Sequence, residues 1–186
     1  MDAFEYLSVL LSIILGLAIT QVLQGYRGLL LSRATVTAYF PAIVWSVPML
    51  AFATQSWWAS FGLSDHTGWT FASFSLLLLQ TILLYMMAAL VLPDFPTGGA
   101  VDLRTHFYRE RLPFFGISLA MIASSIGKEW MLEGRLPEGL NLTFHLLFAS
   151  VSVAAMLIKR PRFHEVTAPV MAIFVTAYIA LLFAKL

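Results

Sequence analysis

Long apolar stretches that alternate with short polar ones dominate the pattern along this chain. A helix needs about 20 consecutive apolar residues to cross roughly 30 Å of hydrocarbon, and six segments meet that requirement. They cover residues 4–30, 39–63, 70–92, 113–134, 139–158 and 166–185. The pattern predicts an all-α, polytopic bundle of six transmembrane helices that forms a single domain over residues 1–186.

Prolines and glycines lie close to several of the predicted helix ends. Pro113 falls in a predicted first turn, where a missing N–H is tolerated, and Gly134 suits a helix C-terminus. Asn141 or Pro137 is expected to open the fifth helix. The only connection longer than a turn is the stretch 93–112, which is predicted to be a loop.

The distribution of basic residues predicts the orientation in the membrane, because cytoplasmic loops of membrane proteins carry an excess of Lys and Arg. If the N-terminus lies outside, the inner side holds Arg27, Arg33, Arg104, Arg109, Arg111, Lys159, Arg160 and Arg162, and the outer side only Lys128, Arg135 and Lys185. We therefore expect both the N-terminus and the C-terminus outside.

Composition agrees with a membrane protein and excludes several other classes. Hydrophobic residues make up 60% of the chain and charged residues 11%, and the mean hydropathy is +0.84. The net charge of +1 argues against a nucleic-acid partner, which would require a basic surface. With no cysteine in the chain, disulfides, thiol catalysis and cysteine-ligated metals are excluded. The N-terminus lacks a basic region and a cleavage site, so we expect it to be retained.

The first predicted helix carries polar and small residues at helical spacing, within an arc of about 120°. They are Glu5, Ser8, Ser12, Gly16, Thr20 and Arg27, with Gln24 in the same segment. Small residues allow helices to approach closely, so the stripe is consistent with helix packing. It is also consistent with an aqueous path, in which Glu5 would lie at the outer mouth and Arg27 at the inner mouth.

A second polar group is expected near the outer side of the membrane. Lys128 and Glu129 end the fourth predicted span, and Glu5, Gln55 and His145 fall at a similar depth. A Glu–Lys pair would keep both side chains charged, and a nearby imidazole would titrate around neutral pH. The simpler interpretation is that Lys128 and Glu129 only mark the membrane interface.

Amides inside the predicted spans form a third feature. Gln80 lies near the centre of the third span, and Gln21, Gln24 and Gln55 lie in the first two. An amide in lipid requires a hydrogen-bonding partner, which another helix supplies at about 0.6 kcal/mol per bond. We interpret these residues as interhelical contacts, with pore lining as the alternative.

Metal and catalytic motifs are weak. Asp102, His106 and Glu110 recur at one-turn spacing within 93–112, but interleaved arginines make salt bridges a simpler explanation than a metal site. No metal or cofactor is expected. The sequence "GISLA" at 116–120 lacks the second glycine of a nucleophile motif, and His145 is the only histidine within a predicted span. An enzyme is therefore the less favoured class.

The segments "FEYLSVLLSIILGLAITQVL", "QSWWASFGL" and "WTFASFSLLLLQTILLYMMAALVLPD" resemble a family of small bacterial integral membrane proteins. The resemblance covers roughly the first half of the chain and implies a location in the bacterial inner (plasma) membrane. It transfers no catalytic or binding residue. From the residues themselves we favour a small channel or transporter, acting as a homo-oligomer in the lipid bilayer with a polar path along the first helix. The alternative is a non-transporting subunit or sensor that binds a membrane protein partner.

Overall fold

The structure is a computed structural model that describes residues 3–95 and 99–182. Its helices are α1 (Ala3–Leu31), α2 (Phe40–Ser60), α3 (Phe71–Val91), α4 (Leu103–Glu133), α5 (Gly139–Leu157) and α6 (Pro161–Leu182). The predicted all-α class with six helices is confirmed. Two short strands, β1 (Val36–Thr37) and β2 (Val101–Asp102), pair in parallel and join the α1–α2 connection to the α3–α4 connection.

The prediction of a loop over 93–112 was wrong for its second half, because α4 begins at Leu103. Asp102 caps the helix: its Oδ1 accepts from the backbone N–H of Arg104 at 2.9 Å, and its Oδ2 from the Thr105 hydroxyl at 2.7 Å. The same two hydrogen bonds hold the pKa of Asp102 below its usual range. Pro113 consequently lies inside α4, and not in a first turn.

The ends of the last two helices also differ from expectation. α5 begins at Gly139, so that neither Asn141 nor Pro137 opens it. α6 begins at Pro161, where a proline fits the first turn, and it includes His164. His145 is therefore not the only histidine within a membrane-length helix. The expected end of α4 is confirmed, since Gly134 is left-handed with a φ of 70°.

Five of the helices form a ring, and α1 lies outside it. Around the ring α2 contacts α3, α3 contacts α4, α4 contacts α5, α5 contacts α6, and α6 returns to α2. α1 packs against the outer surfaces of α2 and α3. The buried face of α1 consists of apolar or small residues, namely Leu11, Leu15, Ala18, Val22 and Gly25. This order decides which helices can line an internal site.

The helices have membrane length. Four of them, α1, α3, α5 and α6, are long and apolar enough to cross a bilayer. α4 has 31 residues and spans about 46 Å, which exceeds the hydrocarbon thickness, and its first turns carry several charges. The end of the bundle that contains residues 32–39, 92–95, 99–102 and 158–160 is called the basic end. The opposite end, where α1 begins, is called the N-terminal end.

Two glycines of α1 provide a test of which face of this helix is packed. A Cβ at Gly25 would meet the Cδ1 of Leu92 at 2.6 Å and its Cβ at 2.9 Å, whereas a Cβ at Gly16 would meet nothing within 4 Å. We expect Gly25→Ala to destabilise the protein by about 1–2 kcal/mol, because overpacking outweighs the gain in helix propensity. Gly16→Ala should leave thermal unfolding in detergent unchanged or slightly improved. Equal effects of the two substitutions would contradict the placement of α1.

Candidate functional site

Polar groups of α4 and α5 meet at four levels along the contact between the two helices. We call the set Arg111, Ser118, Ser125 and Glu129 of α4, with Asn141, His145 and Ser152 of α5, the α4–α5 seam. The four α4 residues lie on one side of their helix because they recur every seven or four positions. Arg111 and Glu129 are separated by about 27 Å along the axis, which is close to the thickness of the hydrocarbon layer.

At the N-terminal end of the seam, an amide and a carboxylate meet. The side-chain N–H₂ of Asn141 donates to both carboxylate oxygens of Glu129, at 3.2 and 2.9 Å. Asn141 lies in the first turn of α5, so its backbone carbonyl points toward residue 145, one turn later. That carbonyl is 2.8 Å from Nδ1 of His145. The carboxylate and the imidazole are thus linked through a single residue.

The middle of the seam consists of two hydroxyl contacts. Nε2 of His145, a buried residue, lies 3.1 Å from the Ser125 hydroxyl. Further toward the basic end, the hydroxyls of Ser118 and Ser152 lie 3.0 Å apart. Since the Asn141 carbonyl can only accept, Nδ1 of a neutral His145 donates to it, and Nε2 accepts from the Ser125 hydroxyl. The hydroxyls both donate and accept, so their hydrogen bonds can be exchanged for bonds to a water or a small polar solute.

At the basic end, Arg111 closes the seam. Its side chain is only 4% exposed, and its Nη1 donates to the carbonyls of Ala155 and Ile158, each at 3.0 Å. These carbonyls belong to the end of α5, where no further helical N–H is available. Arg111 therefore places a fixed positive charge at a helix C-terminus, which favours a cation.

The seam opens onto a central cavity of about 80 Å³ inside the five-helix ring. This volume can hold a few water molecules. Among the described residues, no Asp, Glu, Lys or Arg lines this cavity. Its polar lining consists of amides, hydroxyls and one imidazole, from Gln55, Ser56, Gln80, Ser118, Ser125, His145, Ser152 and Tyr178. The rest of the lining is aromatic and aliphatic, as in most sites for small molecules.

The structure brings three of the sequence-predicted residues, Gln55, Gln80 and His145, to this cavity. The amide oxygen of Gln80 is buried and has no hydrogen-bond partner within the described residues. A buried polar atom without a partner is costly, so it favours occupation of the cavity by a hydrogen-bond donor. By contrast, Gln21 donates to the Tyr85 hydroxyl at 3.3 Å, which is the expected contact between two helices.

The polar stripe of α1 does not reach the cavity. Glu5, Ser12, Thr20, Gln24 and Arg27 are exposed on the outer side of the bundle, and Ser8 is half-buried. The hydroxyls of Ser8 and Thr20 donate to carbonyls of their own helix, those of Glu5 and Gly16, at 2.9 and 2.8 Å. Within one protomer the stripe therefore faces the surroundings.

The expected group near the N-terminal end is divided between two places. Glu129 and His145 belong to the α4–α5 seam. Glu5 lies on α1, which is outside the ring and packs against α2 and α3, not against α4 or α5. Lys128 is half-buried on α4 and lies in the field of Glu129 and Glu133. It does not line the central cavity.

Asp102, His106 and Glu110, which the sequence placed in a loop, make contacts that stabilise the fold. Asp102 caps α4, Nε2 of His106 lies 2.9 Å from the carbonyl of Leu90 at the end of α3, and Glu110 pairs with Arg109. The described residues contain no group of three metal-ligating side chains. The salt bridging that the sequence favoured is found for Glu110, whereas the helix cap of Asp102 and the contact of His106 with α3 were not predicted.

Sequence reasoning missed most of the seam, including Arg111, Ser118, Ser125 and Ser152. A signal was present, because residues 111, 118 and 125 recur at heptad spacing and lie on one helix face. The heptad spacing was not recognised because the fourth helix was predicted to begin at Pro113, which placed Arg111 in a loop. No family model, curated protein or solved structure matches the chain.

Proposed function

We propose that this protein is a small membrane transporter or channel whose polar path follows the α4–α5 seam through the central cavity. The observation that carries the proposal is a series of four separate polar contacts from Glu129 to Arg111, spread across nearly a membrane thickness. Buried polar and ionisable groups at membrane depth are expensive, and they typically mark substrate or ion pathways. In this proposal all six helices span the bilayer, both termini lie outside, and the membrane is the bacterial inner membrane.

The lining of the central cavity suggests which solutes would fit. Its polar groups are amides, hydroxyls and one imidazole, and its volume is about 80 Å³. Water or a polar solute of a few non-hydrogen atoms satisfies both conditions.

Cysteine accessibility tests the path directly, because the chain has no native cysteine. Ser125→Cys lies on the seam and lines the cavity, whereas Ser150→Cys lies on the exposed face of α5. We expect a small water-soluble methanethiosulfonate reagent to modify the first in proteoliposomes and not the second, although Ser150 is more exposed. The reason is that exposure at Ser150 is to lipid, where no thiolate forms.

The controls for this experiment are internal. Both variants should react fully after denaturation in detergent, and Ser12→Cys reports whether the outer face of α1 is wet. Protection of Ser125→Cys in the folded protein would overturn a path along the seam. Reaction at Ser12→Cys would instead restore the path along α1.

We further propose that the protein forms a homo-oligomer through the outer face of α1. Ser12, Gly16 and Thr20 recur every four residues on that face, and the space above Gly16 is open. Small residues at this spacing allow two helices to approach closely in lipid. A path along α1, as inferred from the sequence, would then be completed by a second subunit.

Native mass spectrometry of the detergent-purified protein tests the oligomer. We expect a defined oligomer for the wild type and a shift to monomer for Gly16→Leu, because the leucine holds the two helices apart. Ser150→Leu, on the exposed face of α5, is the control and should leave the oligomer intact. A monomeric wild type would contradict this proposal without affecting the seam.

The second candidate function is a non-transporting subunit or sensor of a membrane complex. The observation in its favour is the same exposed polar face of α1, which would bind a helix of another protein. Co-purification of a stoichiometric partner that Gly16→Leu removes, together with protection of Ser125→Cys, would favour this function over transport.

A further inference from the structure

A second, smaller cavity lies between the central cavity and the basic end. Its volume is about 10 Å³, which is close to what one water molecule requires. Trp45 lines both cavities. The lining of the small cavity is otherwise aromatic and aliphatic, apart from Glu110 and Arg111.

Two N–H groups of residues that line this cavity have no acceptor. Nε1 of Trp45 and Nε of Arg111 are both buried without a hydrogen-bond partner in the described residues. The two side chains are only 7% and 4% exposed. Nearly all buried polar groups in proteins are hydrogen-bonded, and these two donors lack an acceptor among the described residues. Each belongs to a side chain that lines the small cavity, and Trp45 lines the central cavity as well.

Charge narrows the chemistry of the missing acceptor. Within residues 3–95 and 99–182, Arg111 forms no ion pair, and its two hydrogen bonds go to neutral carbonyls. Glu110 also lines the cavity, but its carboxylate accepts from Arg109 at 2.6 Å and is partly exposed. A buried guanidinium without a counter-ion is unfavourable, so an anion satisfies it better than a neutral molecule.

Aromatic rings form half of the lining of the small cavity. Trp45 lies edge-to-face with Phe114 and Phe115, at centroid distances of 5.9 and 5.3 Å, and all three rings line the cavity. The edge of an aromatic ring is electropositive, and its face is electronegative. The rings are therefore compatible with an anion that contacts their edges.

We propose that Trp45 and Arg111 hold one small monovalent anion of the halide class in this cavity. The indole and guanidinium N–H groups donate to it, and it neutralises the buried charge of Arg111. Fluoride has nearly the size of water and fits without adjustment, whereas chloride requires the cavity to widen. The site is separate from the central cavity, and its test does not depend on transport.

The test is a thermal unfolding titration of the intact, detergent-purified protein, in which sodium fluoride or chloride replaces sodium gluconate at constant ionic strength. A ligand that binds the folded state raises the melting temperature with a saturating dependence on concentration. General salt effects act through exclusion from the protein surface and do not saturate in this way. We therefore expect a saturating rise for the wild type.

Trp45→Phe keeps an aromatic ring and removes the N–H. We expect it to weaken the apparent halide affinity about tenfold, as the loss of one charge-assisted hydrogen bond predicts. Trp58→Phe is the matched control, because Trp58 lies nearer the opposite end of α2 and does not line this cavity. It should leave the halide titration unchanged.

Line broadening of ³⁵Cl in NMR provides a second measurement on the wild type, which is independent of how well Trp45→Phe folds. Broadening that excess fluoride reverses would support the site. Absence of both a saturating rise and broadening, or an undiminished rise in Trp45→Phe, would overturn it and leave an ordered water as the occupant.

Discussion

Replacing Arg111 with methionine is expected to destabilise the protein by about 3 kcal/mol, since hydrogen bonds from a charged group contribute roughly 1.5–3 kcal/mol each. Methionine preserves much of the apolar stem and removes every donor. The carbonyl of Ile158 keeps a contact with Nε2 of His164 at 2.8 Å, but that of Ala155 loses its hydrogen bond from Arg111. The end of α5 should therefore become less stable. Unfolding of the purified protein by heat or SDS measures the effect.

Arg109→Met is the matched control, two positions earlier on the same helix. Arg109 is 69% exposed and pairs with Glu110 at the surface, where an ion pair contributes at most about 1 kcal/mol. We expect this variant to unfold close to the wild type. If both variants lost the same stability, the contacts of Arg111 with the end of α5 would not be the cause.

Replacing Ser152 with leucine is expected to close the α4–α5 seam while preserving the fold. Ser152 is buried, lines the central cavity and pairs with Ser118 at 3.0 Å. The larger side chain fills part of the 80 Å³ cavity, so little strain is expected. In a Ser125→Cys background, with a membrane-impermeant methanethiosulfonate reagent supplied only on the side of the basic end, we expect modification to slow about tenfold or more, because Ser152 lies between that side and Ser125.

Ser150→Leu is the control, because it adds the same side-chain volume to the same helix as Ser152→Leu. Ser150 is exposed on α5, two positions from Ser152, and therefore faces away from the seam. This variant should react at Ser125→Cys as fast as the parent. Undiminished modification in Ser152→Leu, with its melting temperature preserved, would show that the path does not pass between Ser118 and Ser152.

The helices were largely predictable because their cause is local. Each predicted span is a run of apolar residues of membrane length, and each coincides with an observed helix within a few residues at most ends. The exception is the start of α4. There a capping Asp102 and the buried residues Leu103 and Phe107 outweigh the boundary that Pro113 suggested. The burial of Leu103 and Phe107 depends on the fold, whereas the Asp102 cap is a local signal that the boundary at Pro113 did not take into account.

The candidate site was predictable only in part. His145, Gln55 and Gln80 were singled out because isolated polar residues in an apolar span are conspicuous. Single serines such as Ser118 and Ser152 are common in membrane helices, since a hydroxyl can bond to its own helix. Their importance follows from their pairing across α4 and α5, which is a property of two helices.

The sequence by itself determined that this protein consists of six helices of membrane length, and that the first of them carries its polar residues on one face. The tertiary structure alone decided where those faces point: α1 lies outside the five-helix ring with its polar stripe exposed, and the α4–α5 seam lies inside. The physical reason is the solvent. In water a polar face must turn outward, but lipid is as apolar as a protein core, so helix packing and hydrogen bonding select the neighbours.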